Sequence, residues 1–276
     1  MPYEGDTMYI EVAAHRGNQA LYPENTMLAY KSAYEISVDM IELDLHMTKD
    51  KEIVLIHDGD LARTADVSGK IRELTLDEIR RADVGIKRGE QFRGTRVPTL
   101  REFCELAANE NGSMQFNFEF KDYFKDGEEW SKECADKIVS TIDDYGLWER
   151  SFVNSFDGKL LSYIEEKYDG RFRLHGFYPW SILGDAKPKN LYCACLLKYV
   201  IKGTGPDGKP IFEGVLNPKE DFDALLSENV RPWVGASIRT IEEMTKAVSL
   251  GAELVTSDDP KFMMDELAKA GLRVKE

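Results

Sequence analysis

Strand-length apolar segments alternate with amphipathic, helix-length segments from one end of the sequence to the other, and this alternation restricts the fold more than any other feature. Strands joined through helices run parallel, because a crossover of that length returns the chain to the edge where it started. The pattern places strands near residues 8–14, 39–46, 53–57, 114–120, 151–156, 171–177, 191–197, 231–236 and 253–257. With the short 53–57 segment counted into the second unit there are eight βα units, the number that closes a (β/α)8 TIM barrel. Three helix starts read as capping boxes, Thr75 with Glu78, Thr99 with Glu102 and Thr240 with Glu243. Pro218 and Pro260 fit first turns, and Gly112, Gly146, Gly170, Gly251 and Gly271 fit helix ends. Two stretches interrupt the alternation: about 59–97, expected as an insertion after the second strand unit, and 202–217, expected as a loop. No composition break divides the chain, so 276 residues are expected to form a single domain. A doubly wound sheet is the competing arrangement, but no glycine-rich phosphate loop follows the first strand.

The strands carry unusual inner faces. In "IELDLHMTKD" the apolar Ile41, Leu43 and Leu45 share one side, so Glu42, Asp44 and His46 share the other. In "MQFNFEFKD", Phe116, Phe118 and Phe120 oppose Gln115, Asn117, Glu119 and Lys121. The first strand runs into "HRGN", and "EIVLIHD" brings His57 to the end of its own strand. Small barrels normally fill their interiors with branched apolar side chains. Buried carboxylates must instead be protonated, meet basic groups or bind a cation. An oxygen-only donor set selects a hard ion, Mg²⁺ or Ca²⁺ first and Mn²⁺ also, over zinc. One Glu-x-Asp pair is ordinarily an exposed or salt-bridged pair. Here, however, His15, Glu42, Asp44, His57, Glu119 and Lys121 all fall at or near carboxyl ends of expected strands, the reactive end of a parallel barrel.

The ordered set "HRG", "PENT", "IELDLHMTKD", "IVLIHD", "FNFEFK" and "TSDDP" resembles the glycerophosphodiester phosphodiesterase family, over most of the chain. The resemblance implies a (β/α)8 barrel with an insertion after the second unit. It also implies metal-dependent hydrolysis of glycerophosphodiesters to glycerol 3-phosphate and an alcohol. Position by position, it makes Glu42, Asp44 and Glu119 the ligands of one divalent cation. His15 and His57 become the acid–base pair, with His15 assigned as base and His57 as acid. Arg16 would grip the phosphate with help from Lys121, Glu24 and Asn25 would organise the loop near Arg16, and His46 would be structural. The family's Trp-Thr-x-Asn at the seventh strand is replaced by "RPWVGAS", which keeps only Trp233, and the 202–217 stretch is untypical.

Other readings remain open. A phospholipase D-like enzyme for lysophospholipids or sphingomyelin can use the same residues, and a barrel that binds phospho-polyols without turnover can keep them. Glycoside hydrolysis needs only two carboxylates, and leaves His15, His57 and Arg16 unexplained. Tyr178 and Trp180 are candidates for an alcohol pocket as much as for helix packing, His175 reads as a core residue, and Asp258 reads as a helix cap. Fifty acidic against 36 basic residues give a net charge of −14, which disfavours nucleic acid and anionic surfaces; the partner that the family resemblance implies is a small-molecule glycerophosphodiester. The absence of a spanning apolar run argues against integral membrane association, and the acidic opening "MPYEGDTMYIEV" is unlike a secretory leader, so a cytoplasmic location is expected. Cys104, Cys134, Cys193 and Cys195 form no CxxC pair and are expected as buried thiols.

Overall fold

The computed structural model describes residues 9–110, 112–184, 186–206 and 208–274. Residues 1–8, which carry the start of the expected first strand and most of the acidic opening, lie outside them. In chain order the strands are β1 (Glu11–Ala14), β2 (Met40–Met47), β3 (Ile53–Leu55), β4 (Gln115–Phe120), β5 (Ser151–Asn154), β6 (Arg173–Tyr178), β7 (Cys193–Leu196), β8 (Tyr199–Thr204), β9 (Pro210–Gly214), β10 (Arg231–Val234) and β11 (Leu254–Ser257). Eight of these pair in parallel around a ring, β1-β2-β4-β5-β6-β7-β10-β11, and the β11–β1 and β1–β2 ladders close it. The helices are α1 (Met27–Glu35), α2 (Leu76–Ile79), α3 (Leu100–Asn109), α4 (Glu128–Asp144), α5 (Gly158–Lys167), α6 (Lys219–Ser227), α7 (Ile241–Ser249) and α8 (Pro260–Lys269). Among the described residues, no helix is long and apolar enough to cross a membrane.

Three features depart from the sequence-based expectation. The short β3 belongs to the second unit but runs antiparallel to β2, with Leu55 opposite Leu45. Among the described residues, the fifth barrel strand, β6, is followed by a single 3₁₀ turn, Trp180–Leu183, where the alternation called for a helix. The stretch expected as a loop at 202–217 lies largely in an antiparallel hairpin, β8 and β9. Gly205, Pro206 and Gly208 stand between the two strands, and Tyr199, Val200, Ile201, Ile211 and Phe212 are β-forming residues of its arms.

Residues between β3 and α3 form 3₁₀ turns and the one-turn α2 around their own buried cluster, which includes Val54, Leu61, Ile71 and Ile79. The capping boxes at Thr75 and Thr99 are complete, each hydroxyl accepting an amide while Glu78 or Glu102 accepts the cap's own N–H. The layer between barrel and helices is aromatic on the β4 side. Phe103 of α3 meets Tyr30, Phe116 and Phe118 edge-on at 5.0, 5.4 and 6.1 Å. Inside the barrel, His175 stacks on Trp233 at 4.2 Å, and the Trp233 indole donates to Thr256 Oγ1 at 2.8 Å. The four cysteines are buried and free.

Because Phe103 is fully buried at the meeting point of three rings, Phe103→Ala leaves a cavity in the barrel–helix layer. Its expected cost is about 3–5 kcal/mol, read as a lower urea midpoint at an unchanged m-value.

Candidate active site

The site is assembled by register. On the β2–β4 ladder Glu42 lies opposite Asn117 and Asp44 opposite Glu119, so alternate residues of two neighbouring strands meet on the inner face. One oxygen from each of Glu42, Asp44 and Glu119 lies within 4.8 Å of the others, and all three residues are buried. That spacing suits oxygens sharing one cation at the 2.0–2.6 Å bond lengths of about Mg²⁺ to Ca²⁺. The donor set is all oxygen, and Glu42 Oε1 is buried with no hydrogen-bond partner. The residues therefore fit a hard divalent ion.

The turn after β1 supplies the first cation. Arg16 and Gly17 both take left-handed backbone, φ 56° and 79°. A Cβ on Gly17 would stand 2.8 Å from the Ala29 backbone, so glycine is required there. This sharp turn directs the Arg16 amide to Glu42 Oε2 at 2.8 Å, while the guanidinium reaches Glu24 at 2.8 Å and Asp44 at 3.4 Å. Asn25 donates to Asp44 Oδ2 at 2.7 Å and accepts from Tyr30 at 2.8 Å, which ties the "PENT" loop to the floor of the site. Lys121 supplies the second cation, 3.1 Å from Asp44 Oδ1 and in direct contact with Glu119. Two basic groups thus face three carboxylates, leaving the cluster one positive charge short.

Proton affinities follow that shortage. Burial, reinforced by the charges of Asp44 and Glu119, pushes the Glu42 carboxyl well above its usual range. Burial would raise Asp44 as well, but Lys121 and Arg16 outweigh it and hold Asp44 down. Lys121 moves upward: burial works against its charge, and Glu119 and Asp44 more than restore it.

Both histidines are built alike. His15 Nδ1 lies 2.6 Å from Asp258 Oδ1, and His57 Nδ1 lies 2.6 Å from Asp58 Oδ1. In each case Nε2 is the nitrogen left to exchange a proton. Gln19 donates to Asp258 at 2.7 Å, while Arg63, from the segment after β3, binds both Asp58 and Glu24. Burial, with Lys121 and Arg16 nearby, lowers the His57 pKa against the opposing charge of Asp44. His15, Arg16, Glu42, His57, Glu119 and Lys121 line one cavity of about 220 Å³ at the carboxyl ends of the strands. A larger cavity of about 800 Å³ opens at the amino ends beside Asp39 and Gln115. There Asp39 is bonded to Tyr9 and Arg273.

A match to the glycerophosphoryl diester phosphodiesterase family model covers residues 15–188. A glycerophosphodiester phosphodiesterase of Caldanaerobacter subterraneus subsp. tengcongensis is 30% identical over 268 residues, which is 94% of this chain and 98% of that one. The chain belongs to the glycerophosphoryl diester phosphodiesterase family. Two solved structures at lower identity share the fold. A phosphodiesterase of Oleispira antarctica, in complex with the product sn-glycerol-3-phosphate, superposes at a TM-score of 0.74 with 19% identity, covering 94% of this chain and 96% of that one. A glycerophosphodiester phosphodiesterase of Agrobacterium tumefaciens does so at 0.69 with 20% identity, covering 91% and 97%.

Within this family member, six of the seven residues singled out from sequence face the cavity, and Asp44 lies just behind them, fully buried. His46 is tied to Asp122 at 2.8 Å and to the His57 carbonyl at 3.2 Å. His175 is enclosed, and burial pulls its pKa down to about 3. One assignment changes, and one open choice is decided. Asp258 is not the helix cap; Asp259 caps α8 through the Phe262 amide, and Asp258 is the partner of His15. Tyr178 and Trp180 pack edge-on against each other, with Trp180 bonded to Glu228, away from the cavity wall. The aromatics on that wall are Phe156, Phe177 and Tyr199. Asn154, 3.5 Å from Glu119, was also missed; it stands at the carboxyl end of β5, where inward parity would have found it.

A carboxyl whose folded pKa is raised makes the folded state bind more protons than the unfolded one, so stability falls as pH rises through that window. Without a cation, Glu42→Gln is therefore expected to raise the melting temperature at neutral pH. Added Ca²⁺ or Mg²⁺ should stabilise the native chain more than the variant. Thermal melts with chelator and with excess ion check both signs.

Proposed function

We propose that this chain hydrolyses glycerophosphodiesters to glycerol 3-phosphate and an alcohol, with one divalent cation, Mg²⁺ or Ca²⁺ before Mn²⁺, held by Glu42, Asp44 and Glu119. We further propose that it works as a single barrel domain with residues 59–97 as an insertion. The observation that carries the reading is the charge balance. A dication would turn the missing positive charge into a surplus of one, which the single negative charge of a phosphodiester neutralises. The product named for the Oleispira protein is consistent with this substrate class.

When bound, the cation supplies Lewis acidity: it draws charge from the phosphoryl oxygens and lowers the pKa of the attacking group. The chain's own residues do the rest. Arg16 and Lys121 offer donors to the non-bridging oxygens as charge accumulates on them. The attacking hydroxyl gives its proton to one imidazole, and the leaving oxygen takes a proton from the other. Burial favours the neutral form of His57, so we place the base there and the acid at His15, the reverse of the assignment made from sequence. Asp58 and Asp258 fix which ring nitrogen carries the exchanged proton. The attacking hydroxyl is water or the neighbouring hydroxyl of the glycerol, in which case a cyclic phosphate forms and is opened afterwards.

His15→Ala and His57→Ala are each expected to lower turnover of glycerophosphocholine by about 10²–10⁴-fold while cation affinity, read by calorimetry, stays near the native value. Equal loss of cation binding would contradict the division of roles. Asp258→Asn should lower kcat with little change in KM, since the residue acts through His15. A base with a lowered pKa must be deprotonated to work, so the acidic limb of kcat/KM should lie below about pH 6.5, as read from a pH–rate profile.

A further inference from the structure

At the amino ends of β6, β7 and β10 the sign of the charge reverses. Acidic residues outnumber basic ones by 50 to 36 in the whole chain. Yet Arg171, Arg173, Lys187, Lys189 and Arg231 converge there on one cavity of about 500 Å³, with Glu228 as the single carboxylate among the described residues of its wall. Five like charges around a concavity repel one another and focus a positive potential into it.

Strand parity places two of the five. Arg173 precedes His175 by two residues on β6, and Arg231 precedes Trp233 by two on β10, so both belong to the inner layer below the His175–Trp233 stack. Their guanidiniums lie 5.8 and 5.0 Å from the centre of the Tyr192 ring. The two lysines come from the segment before β7, which α5 holds in place. The Glu165 carboxylate accepts the backbone amides of Lys189 and Asn190 at 2.9 and 2.8 Å, and the Asn190 side-chain amide at 2.8 Å. Pro188, between the lysines, stiffens the segment further.

Three of the five charges are answered by carboxylates, Arg171 by Asp143, Lys187 by Glu228 and Arg231 by Glu253. Among the described residues, no carboxylate forms an ion pair with Lys189 or Arg173. Arg173 directs its terminal nitrogens to the Gln115 side-chain oxygen and the Glu149 carbonyl, both neutral acceptors, and Glu11 meets it only through that same Gln115 amide. Glu228 also accepts from the Trp180 indole at 2.9 Å, so it keeps a partner when Lys187 turns towards a ligand. A concavity of this size suits a small molecule. A guanidinium fork beside flexible ammonium groups suits phosphate oxygens. The acid excess elsewhere on the chain disfavours extended polyanions and anionic surfaces, which leaves a compact, soluble anion.

We propose that this cavity is a second binding site, at the opposite end of the barrel from the catalytic one, for a compact soluble polyanion carrying two or more linked phosphate groups. Lys187, Lys189 and Arg173 are its donors. The site stands independently of the diesterase reading.

The test titrates inorganic tripolyphosphate into the full chain by calorimetry, with chelator present so that the anion meets no cation at the catalytic carboxylates. One equivalent is expected to bind the native chain. Lys187→Ala/Lys189→Ala should weaken binding by at least about tenfold, whereas Lys187→Arg/Lys189→Arg and Arg16→Ala should keep it. No saturation of the native chain by about 1 mM overturns the proposal, as does native affinity in the alanine pair. Loss in Arg16→Ala with retention in the alanine pair assigns the anion to the catalytic cavity instead. In a second arm the native chain is spun with vesicles containing phosphatidic acid and is expected to stay in the supernatant. Sedimentation with the vesicles that the alanine pair abolishes would also overturn the proposal, by assigning the basic wall to a lipid surface.

Discussion

Three carboxylates and two basic side chains share the upper barrel interior, and the imbalance of one charge governs the arrangement. Glu42, Asp44 and Glu119 cannot all stay ionised in a desolvated site with only Arg16 and Lys121 as counterions. The surplus appears as a Glu42 carboxyl whose pKa is pushed up by burial and its acidic neighbours, and as an Oε1 with no partner. Such a cluster is costly for folding alone. A divalent ion bound there would remove the cost and leave the site ready for an anion, which would tie the stability of the free protein and its chemistry to the same group.

Rigid elements hold this imbalance in place. Asp44 and Glu119 are registered neighbours on β2 and β4, so their separation is set by the ladder and not by loop conformation. Arg16 is placed by a left-handed turn that Gly17 permits, and it is braced by Glu24, which Arg63 also holds. The segment after β3 therefore contributes to the site, since the same Arg63 steadies Asp58 behind His57. Below, the His175–Trp233 stack fills the barrel and separates the charged upper interior from its amino-terminal end.

Much of this was legible in the residues because a strand's side-chain period is strictly two. Once Ile41, Leu43 and Leu45 were placed against the helices, Glu42 and Asp44 had to face inward, and the three phenylalanines of β4 fixed Glu119 in the same way. Asp258 was lost to a choice between adjacent aspartates. A helix start beside Pro260 explained either of them locally, whereas the inward parity of Thr256 continues to Asp258 and leaves Asp259 to cap. At 199–214 the Gly/Pro-rich tip masked the β-forming arms. The fifth helix, missing among the described residues, is a case where repetition of the βα pattern outweighed the shortness of the segment between Tyr178 and Leu191. Contacts across distant segments, such as Gln19 with Asp258 or Arg63 with Glu24, have no local signal at all.

The most direct test of the account is anomalous diffraction from a crystal of the protein equilibrated with Mn²⁺. The account predicts one manganese peak bonded to oxygens of Glu42, Asp44 and Glu119 at about 2.0–2.6 Å. Manganese bound elsewhere, with no ion at this cluster, would contradict it.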